Sequence, residues 1–173
     1  MKLMLKWVRI GLEIIGAATL IFLLALGVSI IWQNSDKTNK AKPKDVLFIL
    51  NGGEIATNQN LNVIASYESS RSFTGDHLDY YCIELSKFVV TDRAKNQWHD
   101  GPEQNPILAE ALEQGANDAH QGNACFPSPE EANSGNMKIK FGDVDVFDRR
   151  PNSADITLFD PKNMKLYYVS YKD

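Results

Sequence analysis

The sequence predicts an α+β fold, a mostly antiparallel sheet with one or two covering helices, preceded by a single N-terminal transmembrane helix. Three features carry this reading: an apolar stretch near the start, a capped amphipathic segment midway, and period-two alternation through the last third.

The apolar stretch runs from Ile10 to Trp32 and contains one ionisable group, Glu13, about one turn inside its entry end. At 1.5 Å per residue its 23 residues exceed a hydrocarbon core of about 30 Å, so a spanning helix is expected. Lys2, Lys6 and Arg9 precede it, and Trp7 and Trp32 stand near its ends, where indoles favour the interfaces. A cleaved signal peptide shares the basic start, and Ala25 and Gly27 form a small-x-small pair. Its apolar core ends after about 7 to 15 residues, however, so the length favours an uncleaved anchor.

Lys37, Lys40, Lys42 and Lys44 follow the helix and offset the basic start, leaving the positive-inside rule without a clear vote. The export-like start and the sparse cysteines favour an inner (cytoplasmic) membrane protein with its domain on the periplasmic or extracellular side. The expected organisation is residues 1–32 as basic segment and anchor, 33–44 as a juxtamembrane linker closed by Pro43, and 45–173 as a soluble domain.

Residues 45–173 carry 20 Asp and Glu against 11 Lys and Arg, a net charge of −9, whereas the whole chain has −4 because its start is basic. Such a domain repels polyanions. Nucleic acid is excluded as an expected partner, and a basic protein or a cation fits better.

Val46 to Leu50 is an apolar run ended by Asn51-Gly52-Gly53 and reads as a covered strand with a turn. Asn60 to Tyr67 alternates and reads as a second strand. From Asp76 to Val90, the positions Leu78, Tyr81, Cys82, Leu85, Phe88 and Val89 share a helical face, which favours a helix; Tyr81, Ile83 and Leu85 equally satisfy a strand. Asn105 to Ala119 reads as a short amphipathic helix, with Asn105 as cap, Pro106 in the first turn, and Ile107, Leu108, Ala111, Leu112 and Gly115 as its stripe. Residues 122–135 read as loop. Met137, Ile139 and Phe141, then Val144 and Val146, alternate with charges. Ala154 to Phe159 and Met164 to Tyr171 are further strands around the turn Asp160-Pro161-Lys162-Asn163. Helices on one face of the sheet are the economical arrangement.

Chemistry-bearing residues are sparse. Cys82 and Cys125 form one candidate disulfide, which in an oxidising compartment stabilises by about 4 kcal/mol through chain entropy; two separate inert thiols are the alternative. Asp143, Asp145 and Asp148 form an acidic run whose first two members share a strand face. Tyr168 has the opposite parity to Tyr167 and Tyr171, so one set packs inward while the other presents its hydroxyl outward. Asp143, Asp145, Asp148 and Tyr168 are therefore the expected partner-binding residues, weighed against a solvated strand face and ordinary packing. Trp98, His99 and Asp100 form the candidate ligand-binding loop, weighed against a turn whose tryptophan packs on the domain.

No phosphate loop, nucleophile elbow, C-x-x-C or paired-histidine zinc spacing occurs. No cofactor, metal site or catalytic residue is therefore expected. The function expected from the sequence is a membrane-tethered envelope protein whose domain binds another protein. It would act as an assembly or regulatory subunit, or as an immunity-like inhibitor of an incoming effector. A small-ligand or metal-binding module or a hydrolase at the membrane surface is the competing class.

Overall fold

The computed structural model describes residues 15–26 and 37–173. The chain divides into two compact units, residues 1–35 and 36–173. In the first, residues 15–26 form a helix, α1, with its apolar side chains exposed. The 12 residues described rise about 18 Å, against a bilayer core of about 30 Å.

Among the described residues no helix is long and apolar enough to cross a membrane. This corrects the spanning anchor expected over 10–32. With it fall the lipid bilayer as partner, the inner-membrane location and the tethered function in either of its forms. The rest of the expected span, residues 10–14 and 27–32, lies outside the described residues, as does the basic start. Hydropathy registers the composition of a stretch, whereas crossing takes an unbroken helix of about 20 residues.

The second unit is an α+β domain built on a seven-stranded sheet. Its strands are β1 (Lys37–Thr38), β2 (Leu61–Glu68), β3 (His77–Leu85), β4 (His99–Asp100), β5 (Lys138–Phe147), β6 (Arg150–Asp160) and β7 (Lys165–Lys172). They lie in the order β1-β2-β3-β7-β6-β5-β4, every neighbouring pair antiparallel. The helices are α2 (Leu47–Gly52), α3 (Pro106–Gly122) and α4 (Pro129–Ala132), with single 3-10 turns at Pro43–Val46 and Lys95–Gln97.

The α+β class and antiparallel sheet agree with the sequence, but helices cover both faces of the sheet. On one face α3 and α4 pack over Tyr80, Cys82, Ala154, Ile156, Leu158, Tyr167, Val169 and Tyr171. On the other, Val46, Ile49 and Leu50 cover Tyr81, Ile83, Phe159 and Leu166. Burial on both sides explains two misreadings. Residues 76–90 were expected as a helix; residues 77–85 form β3, where Tyr80 and Cys82 face one core while Tyr81, Ile83 and Leu85 face the other. A strand apolar on both faces places hydrophobic residues three and four apart, which imitates a helical stripe. The run Val46 to Leu50 belongs to the Pro43–Val46 turn and α2, where Ile49 and Leu50 are buried and Leu47 and Phe48 exposed.

α3 follows its sequence signals closely. The Asn105 side chain accepts from Ile107 N at 3.0 Å, Pro106 occupies the first turn, and Ala111, Leu112, Gly115, Ala116 and Ala119 are buried. Gly115 lets the helix approach β7: a Cβ there would sit 3.2 Å from the Tyr171 ring and from Val169.

β5 and β6 form the longest hairpin. It closes through Asp148 and Arg149, both at positive φ (48° and 67°), the conformation of a two-residue turn matched to strand twist. The sequence signals it weakly because neither residue is glycine or asparagine.

Candidate functional site

A cleft of about 660 Å³ lies beside the α3/α4 face of the sheet. Three segments build it. The loop after α3 supplies Ala124 to Pro127, the end of α4 and its exit supply Glu131 and Ser134 to Lys138, and the β6–β7 turn supplies Asp160 to Asn163. Tyr167 of β7 and Asp100 of β4 complete the lining.

Local chemistry holds each wall. In the loop after α3, Asn123 Oδ1 accepts from Cys125 N at 2.9 Å, and the Phe126 carbonyl bonds His120 Nδ1 at 2.7 Å. The Phe126 ring is 1% exposed and packs edge-on against Tyr80 and Tyr167. Cys125 is joined by a disulfide to Cys82 of β3, with the two Cα atoms 6.4 Å apart, so the loop is bonded covalently to the sheet. Ser128 and Glu131 form a capping box that starts α4: Glu131 Oε2 accepts from Ser128 N at 3.0 Å, and Ser128 Oγ accepts from Glu131 N at 3.3 Å. In the β6–β7 turn, Asp160 Oδ1 accepts from Lys162 N (2.9 Å) and Asn163 N (3.2 Å), while Asn163 Nδ2 donates to Oδ2 at 2.6 Å. This is the Asx-turn chemistry that the sequence Asp-Pro-Lys-Asn announces.

The charges of the cleft are unevenly neutralised. Lys138 Nζ sits 2.7 Å from Asp100 Oδ1, so these two cancel. Among the described residues neither Glu131 nor Asp160 has a salt-bridge partner, although Asp160 is only 8% exposed. The same cleft is lined by Tyr167. That residue is 5% exposed, and its hydroxyl makes no hydrogen bond among the described residues. Its titration is pushed up to about 12, first by burial and then by the negative charge of Asp160 and Glu131. The hydroxyl is thus protonated at neutral pH.

The residues singled out from sequence are dispersed. Asp143, Asp145 and Asp148 are exposed on the β5–β6 hairpin, with Asp145 accepting from Ser153 Oγ at 3.2 Å. Tyr168 is not with them: it lies half-buried on central β7, beneath Phe48, and its hydroxyl donates to Asp155 Oδ1 at 3.1 Å. There it lines a second cavity of about 200 Å³, together with Lys140, whose ammonium donates to Gly52 O at 2.7 Å.

Trp98, His99 and Asp100 diverge in the same way. Trp98 Nε1 donates to Gly53 O at 3.0 Å and its ring packs on Phe88, whereas His99 Nε2 meets Glu103 Oε2 at 2.7 Å. Only Asp100 of this loop lines the large cleft, and Cys125 does so as well. Among the described residues no group of three His, Cys, Asp or Glu side chains is placed to hold a metal ion.

Sequence reasoning missed Glu131, Asp160 and Tyr167 as site residues. Signals for each were present: the Ser128-x-x-Glu131 box, the Asp160 turn, and the inward parity of Tyr167. What joins them is the antiparallel register, which brings the end of β6 beside the start of β7 (Asp160 opposite Lys165, Leu158 opposite Tyr167).

The chain matches no protein-family model, no curated protein and no solved structure.

Proposed function

We propose that the domain of residues 36–173 binds a small polar ligand in the 660 Å³ cleft between the loop after α3, the exit of α4 and the β6–β7 turn. The observation that carries this reading is the Tyr167 hydroxyl, on a residue 5% exposed and without a hydrogen-bond partner among the described residues. Unlike the enclosed Tyr171 hydroxyl, that of Tyr167 keeps solvent access at the cleft it lines, so a ligand can reach it. A hydroxyl held beside a cleft can donate to, or accept from, an incoming polar group. The cleft volume lies within the range of small-molecule sites, and its lining joins Phe126, Pro127 and Met137 to a few convergent polar groups.

The test is a screen of small amines, carboxylic acids, amides and sugars against the isotope-labelled full chain, followed by amide chemical shifts. Hits that shift residues 124–127, 134–138 and 160–163 together support the reading. Hits that cluster on the exposed β5–β6 hairpin or at the Lys140 cavity, or a screen without hits, contradict it.

A further inference from the structure

The cleft also carries information about the chemical class of its ligand. Any choice of ligand must respect which polar groups are already engaged. Asp100 and Lys138 are committed to each other at 2.7 Å, so neither charge is free to select a ligand. Asp160 has donors on both oxygens, two backbone N–H groups and the Asn163 amide, but all three are neutral. Its negative charge is therefore organised by the turn without being cancelled. Buried carboxylates ordinarily stand opposite a cation, and here none stands at hydrogen-bond distance among the described residues.

Glu131, also in the lining, is an exposed carboxylate. One oxygen caps α4 through Ser128 N, and its charge also lacks a cationic partner. The Tyr167 hydroxyl, in the same lining, can accept through its lone pairs as well as donate its proton. The basic side chain left over is that of Lys162, which is exposed on the turn at the cleft rim. Among the described residues no three His, Cys, Asp or Glu side chains are grouped to hold a metal ion. An organic cation, which needs hydrogen-bond acceptors spread around it and tolerates apolar walls along its stem, fits this distribution better. Phe126, Pro127, Met137 and Pro161 supply such walls.

We propose that the ligand of this cleft carries an alkylammonium group, seated with its charge toward Glu131, Asp160 and the Tyr167 hydroxyl and its stem along Phe126 and Met137. The proposal rests on the cleft being a binding site and adds the class of ligand. A free amine and a lysine side chain offer the same chemistry, and the experiment separates them.

The experiment is titration calorimetry on the full chain with three probes: 1,5-diaminopentane, Nα-acetyl-lysine amide, and glutarate as a dianion of matching length. Binding of either amine with glutarate inert is the expected result. The stronger amine identifies a free diamine or a lysyl group as the natural form. Glu131→Gln keeps an oxygen for the α4 cap and is expected to weaken amine binding about tenfold, the value of one charge-assisted hydrogen bond. Tyr167→Phe weakens it several-fold with the unfolding midpoint little changed. Should Glu131→Gln fail to fold, loss of binding by the natural chain on raising the salt concentration makes the same point, since charge attraction at an open cleft is screened.

Glutarate binding more tightly than both amines, or amine binding untouched by Glu131→Gln and salt, overturns the ligand class while leaving the cleft as a site. Failure of all three probes while other fragments occupy the cleft has the same meaning. Failure of every fragment removes the site itself.

Discussion

Cys82 and Cys125 join the middle of β3 to the wall of the large cleft. Cys82 is completely buried within the sheet core, and Cys125, 43 positions later, sits half-exposed on the loop after α3. The bond therefore acts on stability and on the cleft together.

Reducing this disulfide, or replacing both cysteines by alanine, is expected to lower stability by about 4 kcal/mol, the chain-entropy value for a loop of this length. Denaturant unfolding of oxidised and reduced protein measures it. Amide exchange should quicken first at residues 123–128, because that loop loses its covalent attachment while Asn123 and His120 still bond it locally.

Arg71 grips Asp79 with two hydrogen bonds of 2.8 and 2.5 Å, and the Asp79 side chain is only 12% exposed. Arg71→Ala leaves that carboxylate without its cation. A loss of about 2 kcal/mol is expected, less than for a fully buried pair because Arg71 itself is half-exposed. A double-mutant cycle with Asp79→Ala measures the coupling; a cycle near zero would make the pair ornamental.

Glu68 accepts from Lys37 Nζ at 2.9 Å and from the Tyr81 hydroxyl at 2.7 Å. These bonds, Lys37 first, hold its carboxyl below the ordinary value of 4.5. A folded-state value that is depressed means a stabilising contribution present above 4.5 and lost as the pH falls through the lowered value. Glu68→Gln should therefore flatten the acid limb of the stability curve below pH 4.5 and also soften its alkaline limb, because the same carboxylate raises Lys37 and, after burial, Tyr81.

The alkaline limb belongs to the tyrosines. Burial raises Tyr80, Tyr81, Tyr167, Tyr168 and Tyr171 above 10, with Tyr167 pushed up to about 12. Because the neutral forms are favoured in the folded state, their contribution is complete below pH 10 and lost as the pH climbs through the folded values. Ultraviolet titration should show most phenols ionising late and together with unfolding. Tyr171 adds a local test: its enclosed hydroxyl has no partner, so Tyr171→Phe is expected to leave stability unchanged or raise it by about 1 kcal/mol.

The parts of the fold that were legible in the sequence are those where local chemistry and packing agree. α3 has its cap, its proline and a one-sided stripe, and the β6–β7 hairpin has an aspartate turn between alternating strands. β3 and α2 were misread because a sheet covered on both faces removes the polar alternation that marks a strand, and because a five-residue apolar run lacks the length to choose its own period. The apolar N-terminal stretch is described over residues 15–26, and among the described residues no helix is long and apolar enough to cross a membrane.

The cleft was illegible for a different reason. Glu131, Asp160 and Tyr167 each had a structural role readable from their neighbours, but their convergence depends on the β6–β7 register and on α3 and α4 packing over the sheet. The residues singled out in the sequence were chosen for charge, aromaticity and strand parity, and the fold spreads them over separate places. In the fold, Asp143, Asp145 and Asp148 lie along an exposed hairpin while Tyr168 is occupied by Asp155.

The most direct test of the account is a crystal structure of the full chain with 1,5-diaminopentane. The account predicts an ammonium within hydrogen-bond distance of the Glu131 carboxylate and the Tyr167 hydroxyl, with the alkyl chain along Phe126. A diamine bound elsewhere, or a Tyr167 hydroxyl bonded to a protein acceptor beside an empty cleft, would contradict it.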